Sequence, residues 1–323
     1  MTTKSPINIT IFGVGAMGTL FGSRLAPLAN VTLFGTWQEQ VDTLKRQGVT
    51  ITHPNGSQSK HNLRVTNDLS QIPPADVALI LVKSHQTKRA ARQAAVNLKP
   101  NGLAITLQNG LGNLDELATA VGAKRATLGI TAQGATVLAP GQLRHAGEGA
   151  TYLAGTPRQQ TKLKTVAKLF NRAGLETSLV DNADSLVWGK LAINAGINPL
   201  TALLGVPNGT LAEDEKLRQV MFAAANEVAQ VAQAQGIDLP FENAADRTAE
   251  VSRATAANRS SMLQDISRAA PTEIDAISGA VVNFGKKLGV PTPVNQLLLD
   301  LMKAREEGRL FNVNALNVSA LNV

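Results

Sequence analysis

The string IFGVGAMG, residues 11–18, decides the fold of this chain. It holds Gly13, Gly15 and Gly18 in the spacing G-x-G-x-x-G, and it continues the β-branched apolar run Ile7–Phe12. The first glycine permits a tight turn after a strand, the second lets a ligand approach the backbone, and the third lets a helix pack closely on the strand. The string therefore predicts a strand, a glycine turn and a helix in immediate succession.

A turn of this kind binds the pyrophosphate of a dinucleotide, because backbone N–H groups and the positive end of the helix dipole point at the phosphates. The motif alone is weak evidence, but its place between a strand and a helix predicts a nicotinamide dinucleotide site. The predicted cofactor contacts are Gly13, Val14, Gly15, Ala16, Met17 and Gly18.

The end of the second strand selects the dinucleotide in such folds. An Asp or Glu binds the ribose of NAD, whereas an Arg accommodates the phosphate of NADP. This chain has Gly35-Thr36-Trp37, which offers neither an acid nor an arginine. Thr36 could hydrogen-bond either ribose form, so this position leaves the choice open.

Short strands alternate with helices through the first half of the chain. The predicted strands are Ile7–Phe12, Val31–Gly35, Val49–Thr52, Leu63–Val65, Asp76–Val82, Leu103–Leu107 and Leu175–Val180. The predicted helices are Gly15–Leu28, Gln38–Gln47, Thr87–Leu98 and Lys162–Ala173. The turn signal His53-Pro54-Asn55-Gly56 predicts a hairpin between Val49–Thr52 and Leu63–Val65, and Thr127–Leu153 predicts an antiparallel extension of the sheet. The alternation predicts an α/β Rossmann domain, with a doubly wound and mainly parallel sheet, over residues 1–181.

After Asp181 the apolar residues follow a helical period. The predicted helices are Ser185–Ile197, Leu217–Ala234, Ala245–Leu263 and Thr272–Leu288. We therefore expect an all-α C-terminal domain over residues 182–310, followed by a weakly ordered tail, 311–323.

The composition narrows the class of protein. The chain has 323 residues, 44% of them hydrophobic, and no cysteine, which excludes disulfides, zinc–thiolate sites and cysteine nucleophiles. It has no apolar run of about 18 residues, and its short polar N-terminus leads straight into a strand. No membrane helix and no signal peptide are therefore expected, and the expected compartment is the cytoplasm. The net charge of +7 favours an enzyme that handles anions over a nucleic-acid-binding protein, because the basic residues are scattered.

A polar stripe marks the first helix of the second half. Lys190, Asn194 and Asn198 are spaced i, i+4, i+8 and therefore lie on one helical face. Because such groups are costly to bury without partners, the stripe faces either solvent or a polar cleft. In a cleft, the lysine would be a cation and a proton donor whose pKa desolvation lowers, and the asparagines would orient a polar substrate.

Two further polar residues are ambiguous from the sequence. Asn208 lies in the turn Val206-Pro207-Asn208-Gly209, which could return it to the same cleft, although turns often contain asparagine. Glu273 falls in the first turn of a predicted helix, where a carboxylate commonly just stabilises the helix dipole.

Three strings of the second half resemble the 2-dehydropantoate 2-reductase, or ketopantoate reductase, family. They are GKLAINAGINPLTALLGVPNG (189–209), SSMLQDI (260–266) and PTEIDAISG (271–279). GVGAMG (13–18), VKS (82–84) and LQNG (107–110) are similar to the family as well. The resemblance runs from about Ile7 to Arg305. It implies a Rossmann domain followed by a helical domain, and NADPH-dependent reduction of 2-dehydropantoate to (R)-pantoate in pantothenate and coenzyme A synthesis.

The resemblance also implies roles for single residues. Lys190 matches the catalytic lysine, which protonates the carbonyl oxygen. Glu273 matches a catalytic glutamate at the junction of cofactor and substrate, placed to influence Lys190 and the reacting oxygen. The residues that match substrate contacts are Asn194, Asn198, Asn208 and Ser261. Asn109 matches a contact to both cofactor and substrate, and Lys83 matches a cofactor contact. Because many members carry Arg where this chain has Thr36, NADH is possible beside NADPH.

Two alternatives stay open at this stage. One is a related reductase or dehydrogenase of another small 2-oxo or 3-hydroxy acid, which a lysine and an asparagine one turn apart would also serve. The other is a non-enzymatic dinucleotide-sensing module, in which Lys190 would be dispensable. The expected partner is a small-molecule substrate, without nucleic acid or membrane, and the expected state is a monomer or a homodimer.

Overall fold

The protein divides into two compact units. A computed structural model describes residues 6–308 of the chain. Unit 1 consists of the residues up to Gln108 and of Gly112–Ala183, and unit 2 consists of Asn109–Leu111 and the residues from Asp184 onwards. The predicted tail, 311–323, lies outside the described residues.

Unit 1 alternates strands and helices, as its sequence pattern predicts. Its strands are β1 (Asn8–Phe12), β2 (Asn30–Phe34), β3 (Val49–Thr52), β4 (Gln58–His61), β5 (Arg64–Thr66), β6 (Ala75–Ile80), β7 (Leu98–Thr106), β8 (Ala126–Thr131), β9 (Gly134–Ala139), β10 (Gln142–Gly147), β11 (Thr151–Ala154) and β12 (Thr177–Val180). Its helices are α1 (Ala16–Leu25), α2 (Gln38–Gln47), α3 (Thr87–Asn97), α4 (Asn113–Val121) and α5 (Gln160–Arg172).

Among the described residues of unit 1, the main sheet has eight strands in the order β12-β11-β8-β7-β6-β1-β2-β5. β1 pairs in parallel with β2 on one side and with β6 on the other. The β8–β11 pair is antiparallel. The prediction of a mainly parallel Rossmann sheet is confirmed. The carboxyl ends of β2, β1 and β6 consequently lie at one edge of the sheet.

Both faces of this sheet are buried, because successive strand residues point to opposite faces. On one face, Ile11 belongs to a core that includes Phe21 of α1 and Phe170 of α5, whose rings meet edge to face at 5.6 Å. On the other face, Phe12 belongs to a core that includes Leu117 of α4. Burial on two faces explains why the strands are continuous apolar runs.

A second, four-stranded sheet with the order β4-β3-β10-β9 corrects two predictions. The hairpin turn at residues 53–56 does form, but β3 pairs with β4 and not with the predicted Leu63–Val65. The His53 N–H donates to the Ser57 carbonyl at 2.8 Å, so the returning strand begins at Gln58. The segment after it, β5, joins β2 of the main sheet instead. The Thr127–Leu153 region likewise does not simply extend the main sheet, because β9 and β10 lie in the small one.

Unit 2 is helical in its described part. Its helices are α6 (Asp184–Leu204), α7 (Thr210–Glu213), α8 (Glu215–Gln233), α9 (Ala244–Ala254), α10 (Ser261–Ser267), α11 (Ala280–Leu288) and α12 (Pro293–Glu306), with a π-helical turn, Asp275–Gly279, before α11. Apolar side chains from these helices, including Leu191, Met221 and Met302, form a separate core. Across residues 6–308, no helix is both long and apolar enough to span a membrane.

The helix α6 is longer than predicted, because it continues past Ile197 through Pro199. A proline disfavours helix at the preceding residue, which is why the sequence suggests an end there. The surrounding residues are buried, and the Thr201 hydroxyl donates to the Ile197 carbonyl at 2.8 Å. The helix ends at Leu204, and Gly205, which follows it, has a φ of +73°.

The predicted helix Ala245–Leu263 is wrong, because two helices, α9 and α10, occupy this segment. Side-chain caps from Asn243 and Ser260 begin the two helices. The connector between them is fixed from outside, since Asn258 accepts a 2.9 Å hydrogen bond from the Asn208 N–H. The predicted helix Thr272–Leu288 is also shorter, because regular α-helix starts at Ala280 after the π-helical turn. The helices α4, α7 and α12 were not anticipated.

Candidate active site

The glycine turn after β1 has the geometry that its sequence predicts. Gly13 has a φ of +132°, and a Cβ there would lie 2.6 Å from the Leu81 carbonyl oxygen. A Cβ at Gly18 would lie 2.0 Å from the Gly13 carbonyl oxygen, so this glycine permits α1 to pack on the turn. At Gly15, by contrast, no atom lies within 4 Å of such a Cβ. Backbone atoms therefore pack closely against the turn at Gly13 and Gly18, whereas the space beside Gly15 is open to a ligand.

Hydrogen bonds fix this turn to the neighbouring strands. The Gly13 N–H donates to the Phe34 carbonyl of β2 at 2.8 Å. The buried Gln40 side chain donates to the Val14 carbonyl at 3.2 Å. The helix α1 starts at Ala16 without a side-chain cap and without an acidic residue in its first turn. These residues fit a pyrophosphate, because a rigid turn presents helix N–H groups with no carboxylate to repel it.

A contact at the end of β2 is not evident from the local sequence. Thr36 is exposed, and its hydroxyl accepts a 3.3 Å hydrogen bond from Nη2 of Arg89, in the first turn of α3. The two residues are 53 positions apart in the sequence. A basic residue at the start of the helix after β6 was the available signal, because that strand neighbours β1. Lys83 lies closer to β6 and immediately precedes a short 3₁₀ segment, Ser84–Gln86.

In unit 2, Lys190 lies partly buried on α6. Desolvation lowers the pKa of its amine to about 8, and the nearby carboxylate of Glu273 opposes this shift. A lysine with a pKa near 8 is a competent proton donor at neutral pH, because it is charged yet gives up its proton far more readily than an ordinary lysine.

Glu273 is buried, with 5% of its surface exposed. Its Oε2 accepts a 3.3 Å hydrogen bond from Nδ2 of Asn109. It lies in a bend before the π-helical turn and not in a regular first helical turn, which corrects the predicted position. Stabilisation of a helix dipole therefore does not explain this carboxylate. It accepts a hydrogen bond from Asn109 and raises the pKa of Lys190.

The π-helical turn holds the segment that carries Asn109. The Leu111 N–H donates to the Ala276 carbonyl at 2.9 Å. Gly110 has a φ of +79°, and a Cβ on it would lie 2.3 Å from the same carbonyl oxygen. A π-helical turn widens the backbone locally and occurs frequently at functional sites. Here it lets one carbonyl accept a hydrogen bond from outside its own helix.

The other predicted substrate residues lie on α6, on α10 and in a turn of unit 2. Asn194 is partly buried one turn after Lys190, and Asn198, one turn further, is 7% exposed. The polar stripe is therefore not an exposed helix face. Ser261 is partly buried and is the first residue of α10. Its neighbour Ser260 is the capping residue, whose hydroxyl accepts from the Leu263 N–H at 3.1 Å.

Asn208 makes structural contacts and leaves one atom without a partner. Its Nδ2 donates to the Thr255 hydroxyl at 2.9 Å, and its backbone carbonyl accepts from the Ser252 hydroxyl at 2.7 Å. Among residues 6–308, its buried Oδ1 has no hydrogen-bond partner. A buried acceptor without a donor is uncommon in proteins. The structure joins Asn208 to the α9–α10 connector, and its contact with a substrate stays a prediction.

Comparisons with known proteins agree over almost the whole chain. Two family models match, described as ketopantoate reductase PanE/ApbA over residues 9–158 and as its C-terminal domain over residues 182–306. The chain is 35% identical to a 2-dehydropantoate 2-reductase from Halobacterium salinarum over 307 residues, which cover 94% of this chain and 100% of the relative. It is 31% identical to the 2-dehydropantoate 2-reductase from Vibrio cholerae, with 93% and 98% covered.

Solved structures also resemble the chain over almost its whole length. A PanE/ApbA family ketopantoate reductase from Ralstonia eutropha has a TM-score of 0.85 at 28% identity, with 94% of this chain and 99% of that chain covered. A ternary structure of D-mandelate dehydrogenase with NADH and anilino(oxo)acetate has a TM-score of 0.86 at 26% identity, with the same coverage. On the sequence motifs, the fold, the site and these comparisons together, the chain belongs to the ketopantoate reductase family.

Proposed function

We propose that this chain reduces 2-dehydropantoate to (R)-pantoate with NAD(P)H, a step in pantothenate and coenzyme A synthesis. The observation that carries the proposal is the pair in unit 2: Lys190, with a pKa near 8, beside the buried carboxylate of Glu273. An NAD(P)H-dependent oxidoreductase needs such a proton donor, and a non-enzymatic dinucleotide sensor does not. Membership of a family of reductases removes the sensor as an alternative.

The chemistry follows from the charges. When bound, NAD(P)H supplies a hydride to the C2 carbonyl carbon. Negative charge then develops on the carbonyl oxygen, and the Lys190 ammonium stabilises it and donates the proton that completes the alcohol. The amine of Lys190 afterwards regains a proton from solvent. Glu273 keeps Lys190 protonated over a wider pH range, because a carboxylate raises the pKa of a neighbouring amine.

The proposed substrate contacts come from amides and a hydroxyl. We assign Asn194, Asn198, Asn208 and Ser261 to binding the carboxylate and hydroxyl groups of the substrate. The Oδ1 of Asn208 supports this assignment, because a buried acceptor without a partner suits a substrate hydroxyl. Asn109 is assigned to both cofactor and substrate, since its amide is already oriented by Glu273.

The proposed cofactor contacts are Gly13, Val14, Gly15, Ala16, Met17, Gly18, Thr36, Lys83, Asn109 and Glu273. The pyrophosphate would contact the open side of the turn at Gly15, and NADPH is the proposed natural cofactor. We assign cofactor binding mainly to residues 1–181 and substrate binding mainly to residues 182–310, with Asn109 and Glu273 as the exceptions. A cytoplasmic location, a monomeric or homodimeric state and the absence of nucleic-acid binding stay predictions.

A second candidate is the reduction of a different 2-oxo acid. The similarity to a D-mandelate dehydrogenase with NADH and anilino(oxo)acetate favours it, because that ligand is a 2-oxo acid with an aromatic group. Lys190 would be the acid in both reactions. The two reactions differ in the carbon chain of the substrate that the pocket receives.

The test is a substrate panel with both cofactors. Purified protein is assayed with NADPH and with NADH against 2-dehydropantoate, pyruvate, 2-oxoisovalerate and benzoylformate, and kcat/KM is compared. The proposal expects the highest kcat/KM for 2-dehydropantoate. A higher value for benzoylformate would favour the second candidate, and oxidation of neither cofactor with any acid would refute both.

A further inference from the structure

The end of β2 lacks the side chain that usually selects a cofactor in this fold. Gly35, Thr36 and Trp37 bring no carboxylate to accept hydrogen bonds from the ribose hydroxyls of NADH. They also bring no arginine for the 2′-phosphate of NADPH. Thr36 and Trp37 are nevertheless exposed, so this edge of the sheet is open to a ligand.

A cation reaches this edge from a different element. Arg89 lies in the first turn of α3, and its Nη2 donates to the Thr36 hydroxyl at 3.3 Å. The sheet order explains how they meet: β6, which precedes α3, and β2, which precedes Thr36, flank β1 in parallel. The ends of all three strands therefore lie at the edge that carries the glycine turn.

The chemistry of this pair suits a phosphate monoester. A guanidinium carries five N–H donors in a planar fork, so one hydrogen bond to Thr36 leaves a bidentate face for two phosphate oxygens. The bond to Thr36 also restrains an otherwise flexible side chain, which lowers the entropy lost on binding. The NADH ribose, with hydroxyls and no charge, gains little from such a cation.

We propose that Arg89, oriented by Thr36, binds the 2′-phosphate of NADPH and gives this chain its preference for NADPH over NADH. The inference rests on the proposed function only in requiring that NAD(P)H is the cofactor. It moves the role of cofactor selection from the end of β2 to the start of α3.

The experiment measures binding without substrate. NADPH and NADH are titrated into the wild type, Arg89→Ala and the matched control Arg92→Ala, which removes an exposed arginine one turn later on α3. Isothermal titration gives the dissociation constants of both cofactors. Both substituted side chains are exposed, so the fold is expected to persist.

The expected result is selective. Arg89→Ala weakens NADPH binding by about 10- to 100-fold, the range for hydrogen bonds to a charged group, and leaves NADH within about 2-fold. Arg92→Ala leaves both affinities unchanged. Equal losses for the two cofactors in Arg89→Ala, or no loss, would overturn the inference and would leave the proposed reductase function standing.

Two further arms separate the phosphate from the rest of the cofactor. Adenosine 2′,5′-bisphosphate should bind the wild type more tightly than adenosine 5′-monophosphate, and Arg89→Ala should abolish that difference. Thr36→Asp should reverse the cofactor preference, because its carboxylate would pair with Arg89, repel the phosphate and accept from the ribose hydroxyls. An unchanged preference in Thr36→Asp counts against the inference. Wild-type protein that binds neither NADPH nor NADH overturns both the inference and the proposed function.

Discussion

At the scale of single residues, Lys190 shows how burial makes a lysine more acidic than an ordinary one. Its partial burial lowers the pKa to about 8, and the carboxylate of Glu273 limits the shift. The sequence predicted that Lys190, Asn194 and Asn198 share one helical face, because i+4 spacing is a local property. Local spacing could not predict which group would face the amine, since Glu273 lies far along the chain, and only the family resemblance implied that Glu273 acts on Lys190.

We expect Lys190→Ala to lower kcat by about 10²–10⁴-fold, the usual contribution of a general acid. Cofactor affinity should be nearly unchanged, because the proposed dinucleotide contacts lie mainly in unit 1. Steady-state kinetics and NADPH titration measure the two quantities. Lys216→Ala, at an exposed position on α8, is the control and should behave as the wild type. Full activity in the Lys190 variant would eliminate it as the acid.

The pH dependence follows from the same pair. A general acid must be protonated to act, so kcat should fall as pH rises through the Lys190 pKa of about 8. Glu273 raises that pKa, so Glu273→Gln should move the descending limb to lower pH. The glutamine keeps an acceptor for Asn109, which limits other effects.

The measurement is the pH profile of kcat for both proteins, with Asp275→Asn as the control. Asp275 is an exposed acid that is ion-paired with Lys303, and its loss should leave the limb in place. A limb that stays fixed or moves upward in Glu273→Gln would show that the carboxylate does not act on Lys190.

At the scale of elements, the π-helical turn joins two distant segments of unit 2. Its Ala276 carbonyl accepts from Leu111, and Gly110 packs directly on it. Asn109 donates to Glu273 beside this contact. The sequence suggested a helix there, because the periodicity of Thr272–Leu288 does not distinguish a π turn from an α-helical one.

Gly110→Ala should perturb the contact between Gly110 and the π-helical turn more than Gly112→Ala does. Both glycines have similar positive φ values, +79° and +86°, so both substitutions cost about 1–2 kcal/mol of left-handed strain. A Cβ at Gly110 also lies 2.3 Å from the Ala276 carbonyl oxygen, whereas none is near Gly112. We expect Gly110→Ala alone to lower kcat, since it displaces Asn109. Equal kcat values in the two variants would show that the contact between Gly110 and the π-helical turn has no role in catalysis.

The buried carboxylate of Glu227 caps the start of the last described helix, α12. Glu227 of α8 is 7% exposed and accepts hydrogen bonds from the Val294 N–H at 2.7 Å and the Asn295 N–H at 2.8 Å. These are N–H groups that a helix leaves unpaired at its start. The carboxylate therefore caps α12 from another helix, 67 or 68 residues away in the sequence.

Glu227→Ala should lower the free energy of unfolding by about 1–3 kcal/mol or more, because it leaves buried donors without acceptors. Urea denaturation followed by circular dichroism measures the change. The control is Glu250→Ala, which removes an exposed ion pair with Arg247 and should cost about 0.5 kcal/mol or less. If the two variants were equally stable, the cap would contribute nothing.

At the scale of the whole molecule, each unit has its own hydrophobic core. The strands and the glycine turn of unit 1 were predictable, since burial on both faces produces continuous apolar runs and the turn needs glycines at fixed spacing. The helical character of unit 2 was predictable from its period. The errors concern connections: the β3–β4 hairpin, the passage of α6 through Pro199, and the break between α9 and α10.

The sequence by itself determined the glycine turn, the mainly parallel sheet, the helical second half and the stripe that begins at Lys190. These features depend on short-range sterics and on the periodicity of apolar residues, which neighbouring positions encode. Only the tertiary structure decided that Glu273 and Asn109, 164 residues apart, share a hydrogen bond, and that Arg89 reaches Thr36. The physical reason is that a hydrogen bond between distant residues depends on strand order and helix packing, which no local pattern specifies. The glycine turn thus indicates a dinucleotide site, and the contact of Arg89 with Thr36 carries the proposal about which dinucleotide binds there.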